Sequence, residues 1–326
     1  MPFEIDMLEV GNADAIILRY LDENKKEYIV LIDAGKTEAH GKKVVDHIKK
    51  YTDKKSVDLA ISTHPDKDHI YGFFYVIEHI KIDKFWIHDP QAHKIDESII
   101  TSLHRNGMHI EKGLKYVVES LNFSKNLLTI IDKMEIDREE PLEGCFHPEI
   151  PIRVLGPSLA YYKEKLHSFR DIGVLYESAL EKAESQYLLE EEWKDLKIKF
   201  DKLVDKSNEN NSSAIILFES DGKKVLFTSD AGPQALDPVI ARYDLKDLYF
   251  LDVPHHGSEN NLTTTIMDKL KPKIAYISCG DNYPSPFIVK YLKNLKSSVF
   301  ATKNTKGIMH NVNIGPRSGW EPIQPL

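Results

Sequence analysis

Ser62-Thr63-His64-Pro65-Asp66-Lys67-Asp68-His69 places four side chains of metal-ligating type within six positions, at the end of the apolar strand pattern Leu59 to Ser62. In extended backbone, residues two apart project the same way. His64 and Asp66 then face one ion while Asp68 and His69, at the start of the following helix, face a second. A solvated loop whose acids cap that helix is the plainer reading, and it suits Asp68 alone better than all four together.

Two more clusters follow strand-like runs far along the chain: Thr228-Ser229-Asp230-Ala231-Gly232 and Val253-Pro254-His255-His256-Gly257-Ser258. A carboxylate set directly after a buried strand loses hydration unless a cation, a donor or solvent compensates it, and paired histidines beside glycine suit a close-approach loop. Singly, Asp230 reads as a turn residue and one of the two histidines as packed. Joined to the first cluster, they point to a polynuclear metal site.

Around these clusters the pattern is mixed α/β. Strand-like runs occupy Phe3 to Val10, Ala15 to Tyr20, Tyr28 to Ile32, Leu59 to Ser62 and Phe85 to His88. From Asp96 to Met134 the apolar spacing is helical, and Glu135 to Ile150 is an acidic connection leading to Ile152 to Leu155. Between Leu159 and Ser207, Leu180, Ala183, Tyr187, Leu188, Trp193, Leu196, Phe200 and Leu203 recur every three or four residues, which predicts one long helix or a helical hairpin. Strands resume at Ala214 to Phe218, Val225 to Thr228, Tyr249 to Val253, Ile274 to Ser278 and Val299 to Ala301, and no internal repeat is visible. The expected organisation is one domain over 1–326, interrupted by helical insertions at 96–135 and 159–207.

With 41% hydrophobic and 29% charged residues in 326, the composition is that of a soluble globular protein with a sizeable core. Forty-three Lys plus Arg against 51 Asp plus Glu exclude the general basic character of sequence-blind nucleic-acid binders, so any such contact is local. Cys145 and Cys279 are the only cysteines and support neither a disulfide framework nor a zinc finger. No basic n-region with an apolar run opens the chain and no stretch reaches the ~18 apolar residues of a membrane span, so the expectation is a cytoplasmic protein without membrane contact.

The order Leu31-Ile32-Asp33-Ala34-Gly35, His64-x-Asp66-x-Asp68-His69, Asp230, His255-His256-Gly257-Ser258 resembles the metallo-β-lactamase superfamily, and within it the ComEC/Rec2-like competence-type branch. Leu8-Glu9-Val10-Gly11-Asn12-Ala13-Asp14-Ala15 is similar to that branch's opening "DVGQGDA" turn. Asn210 to Ser213 is similar to its "NNxS" segment, and Ile277-Ser278-Cys279-Gly280 with Asn282 to its closing "iSxG…N" block. The likeness covers both β-rich halves and leaves the insertions unexplained.

The resemblance implies an αββα sandwich with a metal site at one edge, holding one or two divalent ions, zinc or manganese with magnesium allowed. Carried onto this chain, His64 and Asp66 bind the first ion, Asp68 and His69 the second, and Asp230 bridges them. One of His255 and His256 completes the second site, His256 being favoured, and Asp33 stands behind the site to orient a ligand histidine. Three departures matter. Asp66 stands where the commoner pattern has histidine, a harder ligand that leans toward manganese or magnesium. Gly156 stands where relatives read a third-motif histidine, a place His88 fills only if the fold brings it near. Ser285 replaces a histidine of the closing block.

The activity implied is hydrolysis of a phosphodiester, in DNA or RNA, by metal-activated water. Asp230 holds both ions, Asp68 orients the nucleophile, and the spare histidine, His255, protonates the leaving oxygen or contacts phosphate. Ser213, Ser258 and Asn282 are candidate phosphate donors, with turn stabilisation as the alternative. The lysines Lys42, Lys43, Lys49, Lys50, Lys54 and Lys55, and those from Lys194 to Lys206, either line a substrate groove or form solvated helix faces. The competing readings are a hydrolase of another bond, such as a lactone or thioester, and a non-catalytic scaffold with an incomplete site. The 159–207 insertion is then a dimerisation or partner-docking element.

Overall fold

Alternating short apolar runs and amphipathic stretches assemble into two facing sheets with helices outside each. The computed structural model describes residues 1–93, 110–169, 193–281, 284–315, 317–320 and 322–326. The first half runs β1 (Phe3–Leu8), β2 (Ile16–Leu21), β3 (Glu27–Ile32), α1 (Glu38–Tyr51), β4 (Val57–Ser62), α2 (Lys67–Ile70), α3 (Phe73–His79), β5 (Ile82–Ile87), α4 (Ile110–Lys133) and β6 (Asp137–Glu139). The second runs β7 (Ile152–Gly156), α5 (Leu159–Ser168), α6 (Trp193–Phe200), α7 (Asn208–Asn211), β8 (Ile215–Ser220), β9 (Lys223–Phe227), α8 (Pro233–Arg242), β10 (Phe250–Asp252), α9 (Thr264–Leu270), β11 (Ile274–Ile277), α10 (Pro286–Asn294), β12 (Ser298–Ala301) and β13 (Gly307–Val312).

One sheet has the order β13-β1-β2-β3-β4-β5-β6 and the other β12-β11-β10-β9-β8-β7. Each is antiparallel at one end and parallel from β3 to β6 or from β9 to β12. Parallel strands need crossovers, and helices supply them, so both faces of these strands are covered. The run Val57–Ser62 is accordingly buried throughout. Helix α1 starts where Thr37 accepts from the His40 amide and ends on Lys49 and Lys50, matching side-chain chemistry to the helix poles.

Three apolar layers result. Phe3, Ile5, Trp86, Ile216, Phe218 and Phe250 fill the space between the sheets. Val44, Ile48, Phe73, Val76 and Leu127 seal the first sheet's helices, and Leu236, Val239, Ile266, Met267 and Ile288 those of the second. This is the αββα sandwich. Helix α4 lies within the first insertion; of the second, α5 and α6 are described, and most of the stretch expected to be helical from Leu180 lies outside the described residues. Strands β6 and β13 were not expected. β6 is a three-residue polar edge strand inside a connection, and β13 lies beyond the last run rich in β-formers. Among the described residues no helix is long and apolar enough to cross a membrane.

His310 of β13 joins the two sheets. Its ring lies among Phe3, Tyr249, Phe250 and Tyr276, and Nε2 is 3.0 Å from the Tyr249 hydroxyl. Burial, with help from the Lys273 charge, lowers its pKa to about 4. The folded state therefore keeps the ring neutral where the unfolded chain protonates it. Its contribution to stability is complete above pH ~6.5 and is lost as pH falls toward 4, a change of about 3 kcal/mol. His310→Phe is expected to flatten that part of the stability profile, measured by urea unfolding between pH 4 and 7; an unchanged slope would refute the assignment.

Candidate metal centre

The ligand-type residues gather because each follows the carboxyl end of a strand in the parallel part of a sheet, where α/β proteins form their crevices. Asp33 follows β3, His64 to His69 follow β4, Asp230 follows β9, and His255 and His256 follow β10. Four residues other than glycine in these turns adopt left-handed backbone: Asp33 (φ 56°), Ser229 (48°), His255 (48°) and His256 (57°). Such conformations cost of order 1–3 kcal/mol each and persist only where surrounding structure enforces them. Gly72 shows that enforcement: a Cβ there would lie 1.8 Å from the Ala34 carbonyl oxygen, so only glycine lets the ligand loop close on the end of β3.

The loop after β4 is not solvated. His64, Asp66 and His69 are buried, and Asp66 makes no side-chain cap to α2. Its Oδ1 instead accepts from the Ser120 hydroxyl of α4 at 3.2 Å, while Phe123 of that helix packs edge-on against Tyr71. The first insertion thus roofs the ligand loop.

Asp230 sits at the centre. Its Oδ2 is 3.4 Å from His69 Nε2, 3.8 Å from His64 Nε2 and 3.8 Å from His255 Nε2. Asp66 Oδ2 is 3.8 Å from His64 Nε2, and Asp68 Oδ2 is 3.6 Å from His256 Nε2. Three compact groups of potential ligand atoms emerge among the described residues: His64, His69 and Asp230; Asp68, His69 and His256; and Asp14, Asp33 and His69, the last on the Nδ1 side of the ring. His69 belongs to all three, and Asp66 stands at the edge of the first.

The tips of the histidines are aimed by what holds their other nitrogens. Asp33 Oδ2 accepts from His69 Nδ1 at 2.8 Å, and the Ser278 carbonyl accepts from His256 Nδ1 at 2.9 Å, so both rings present Nε2 inward. Asp33 is itself fixed by the Thr63 amide and hydroxyl at 2.9 and 2.7 Å. The closing block ties in the opening turn, with Ser278 Oγ donating to the Ala13 carbonyl and the Gly280 amide to Asn12 Oδ1.

Burial lowers the His64 pKa to about 3, the His69 charge adding to the effect. Burial also pushes Asp66 up to about 7, helped by Asp68. For Asp68 burial pulls upward but is outweighed by the His256 hydrogen bond and the His69 charge; for Asp230 it is outweighed by the charges of His255 and His69. Both carboxyls end below their usual range. His69 is raised despite burial by Asp230 and Asp33, and His256 is raised to about 10 by hydrogen bonds to Asp14 and Asp68 against the same penalty.

Whether a cation fits is answered by three buried atoms. His64 Nε2, His69 Nε2 and Asp230 Oδ1 make no hydrogen bond. A buried polar atom left so costs about 1–3 kcal/mol, and the two imidazole tips lie within 3.8 Å of the same Asp230 carboxylate, as a cage requires. Two donors that share an ion at about 2.1 Å stand roughly 3.4 Å apart in a tetrahedral shell, close to the observed separations.

Other expected residues fall differently. Gly156 points away: a Cβ there would meet Val239 of α8, in the outer layer of the second sheet, so no side chain at 156 reaches the centre. His88 is buried, stacked on Tyr162 with ring centroids 4.2 Å apart, and burial lowers its pKa to about 3, with His64 next in effect; neither ring nitrogen has a hydrogen-bond partner. Ser258 serves the turn, its amide donating to the His255 carbonyl. Ser213 is fully buried beside the ligand loop, its hydroxyl unpartnered. Ser285 precedes α10 without a side-chain cap bond; its hydroxyl faces Glu259 at 3.5 Å and its amide bonds the Gly257 carbonyl. Asn282 lies outside the described residues. Half of the first basic stretch is engaged by acids, Lys42 pairing with Asp46, Lys43 with Glu9 and Lys54 with Asp58.

Sequence reasoning missed Asp14, whose carboxylate lies 3.7 Å from His69 Nδ1 and 3.6 Å from His256 Nδ1, although the opening turn that carries it was recognisable. It also missed Glu209, buried in α7 and pushed up to about 8 by burial and the Asp66 charge, and the pair Asp205 and Asn261 beneath His255.

Fold and site together define a metallo-β-lactamase-type protein, and the sequence model of the metallo-beta-lactamase superfamily matches residues 9–281; the chain belongs to that superfamily. Among curated proteins it is similar to ComE operon protein 3 of Bacillus subtilis (strain 168), 21% identical over 330 residues. That match takes in 94% of this chain and 33% of the relative, so the chain spans about a third of that protein's length. Similar solved structures include the metallo-beta-lactamase fold protein YhfI from Bacillus subtilis (TM-score 0.47, 9% identity, 96% of this chain and 100% of that one). Another is Zn(2+)-bound PqqB from Methylobacterium extorquens (TM-score 0.41, 8% identity, 91% and 87%).

Proposed function

We propose that this chain is a metal-dependent phosphodiesterase, acting on DNA or RNA. The observation that carries the reading is Asp230, one carboxylate within 3.8 Å of three imidazole nitrogens, at a point where buried ligand atoms lack partners. His64 and Asp230, with Asp66 at the edge, would hold one divalent ion, and Asp68, His69 and His256 a second, the Asp230 carboxylate lying within reach of both. Bound there, such ions lower the pKa of water and neutralise charge on phosphoryl oxygens. Asp33 and the Ser278 carbonyl hold the ligand rings in register. Asp68, the most exposed of the ligand acids, orients a water by accepting its hydrogen bond, and the half-buried His255 faces the departing oxygen. Asp66, a harder ligand than the histidine commoner at its place, leans the donor set toward manganese or magnesium over a pure zinc site. The apolar layer shared by both sheets supports treating 1–326 as one domain.

Incubation with single- and double-stranded DNA, RNA and a small phosphodiester under manganese, magnesium or zinc tests this. Cleavage is expected with manganese or magnesium and should fall at least ~100-fold in His64→Ala. Turnover of ester or lactam reporters but of no phosphodiester would assign another bond instead. The scaffold reading has one supporting observation, the outward-facing Gly156. It predicts no bound divalent ion and no rise in melting temperature when one is added.

A further inference from the structure

Lys67 stands between the ligand acids Asp66 and Asp68, and its side chain is exposed. Its Nζ lies 5.1 Å from the ring centroid of Tyr71, one helical turn on, and 5.9 Å from that of Phe123 on α4. Among the described residues it pairs with no acid, in contrast to Lys42, Lys43 and Lys54. Tyr71 and Gly72 keep right-handed helical backbone between α2 and α3, so Lys67, Tyr71 and Phe74 follow one face at spacings of four and three residues. Gly72, held against the Ala34 carbonyl, fixes that face beside the ligand loop. Phe123 reaches over from the first insertion to complete a cluster of three rings. Centroids are 5.3 Å apart from Tyr71 to Phe123, 5.6 Å from Tyr71 to Phe74 and 6.4 Å from Phe74 to Phe123. The pairs meet at 60° to 88°, and among the described residues no ring stacks parallel on any of the three. All three side chains stay partly exposed, although packing beneath α4 would gain by burying them.

We propose that Lys67, Tyr71, Phe74 and Phe123 form a docking platform for one unpaired nucleotide flanking the scissile phosphate, so that the chain holds single-stranded DNA or RNA in preference to duplex. The inference rests on the phosphodiesterase reading for its substrate. Lys67 Nζ takes the neighbouring backbone phosphate, and the base packs on the Tyr71 and Phe74 rings, a contact open to any base because each has a π-face. In a duplex those faces are already covered by stacked neighbours. Glu78, exposed one turn past Phe74, ends the surface with a charge that repels the strand and confines it to a single nucleotide. A net charge of -8 leaves no general attraction for nucleic acid, so a local cation with aromatic rings is the form such a contact takes. The first insertion, through Phe123, thereby supplies part of the substrate surface.

The test measures binding, with manganese, in the full chain carrying His64→Ala, whose slowed cleavage leaves the strand intact. The probes are short DNA and RNA strands carrying 2-aminopurine, a base whose fluorescence is quenched on stacking, each alone and annealed to its complement. The single strands should bind and be quenched. Tyr71→Ala should weaken that binding roughly 5- to 150-fold and restore the fluorescence, and Tyr71→Phe should behave as the parent. Tyr71→Leu keeps apolar bulk beneath α4 and should also restore the fluorescence, which separates lost stacking from a folding defect. Lys67→Gln should make the salt dependence of single-strand binding shallower by about 0.7 in log–log slope. Quenching that survives both Tyr71→Leu and Phe74→Leu, or equal losses on single strand and duplex, overturns the proposal. If wild type cleaves a phosphodiester under manganese, magnesium or zinc while the ring variants bind as the parent does, the platform fails and the phosphodiesterase reading stands. If the ring variants lose single-strand binding as expected while wild type cleaves no phosphodiester, the platform stands and that reading falls.

Discussion

Asp230→Ala is expected to abolish both cleavage and the rise in melting temperature that manganese confers. Among the described residues its carboxylate is the one within 3.8 Å of His64, His69 and His255 at once. Losing that shared ligand removes several kcal/mol of ion binding, and a fall of about three powers of ten in rate is the minimum expected. An ion present at a hundred times its dissociation constant stabilises a fold by about 2.7 kcal/mol, and that increment should vanish from the variant's thermal melt. A second effect is separate: in the metal-free chain Asp230 is the counter-charge to the imidazoles around it, and breaking a buried pair of this kind costs about 3–5 kcal/mol. The variant should therefore melt earlier than wild type even in chelator. A variant that keeps its manganese-dependent stabilisation would show that the cage is centred elsewhere.

Asp33→Asn should weaken the centre without emptying it. The carboxylate accepts from His69 Nδ1 and from Thr63 at both backbone and hydroxyl. An amide can keep the Thr63 amide bond through its oxygen, but its NH2 group then meets the His69 Nδ1–H. The ring must shift, or move its proton to Nε2, which cannot then ligate. Loss of such an orienting partner typically costs 10–100-fold in metal affinity. Chelator competition should show that loss, and saturating manganese should restore most of the rate, unlike in Asp230→Ala. An affinity equal to wild type would mean that Asp33 serves only to hold the loop.

The contrast between these residues marks what the sequence makes legible. His64, Asp66, Asp68, His69, Asp230 and the His255-His256 pair stand out because ligand-type side chains follow buried strands at short spacing, and strand ends are where a parallel sheet opens its crevice. The two-sheet architecture is legible for the same reason, through strand runs separated by helical crossovers. Asp205 is not legible. It lies in a charged stretch that reads as a solvated helix face, and only the return of the chain beneath the 255–261 turn buries it. Asp14 and Glu209 are likewise ordinary acids until tertiary packing sets them beside histidines or another carboxylate. Gly156 shows the converse, since a family position can be located in the sequence while its side-chain direction is decided by the contact with α8.

The centre draws His64 and His69 from one sheet and Asp230 and His256 from the other, so an ion lodged there is a rivet across the seam between two halves of the molecule. Its residence time is then tied to how often the halves part. Occupancy and rigidity of the sandwich become two readings of a single equilibrium.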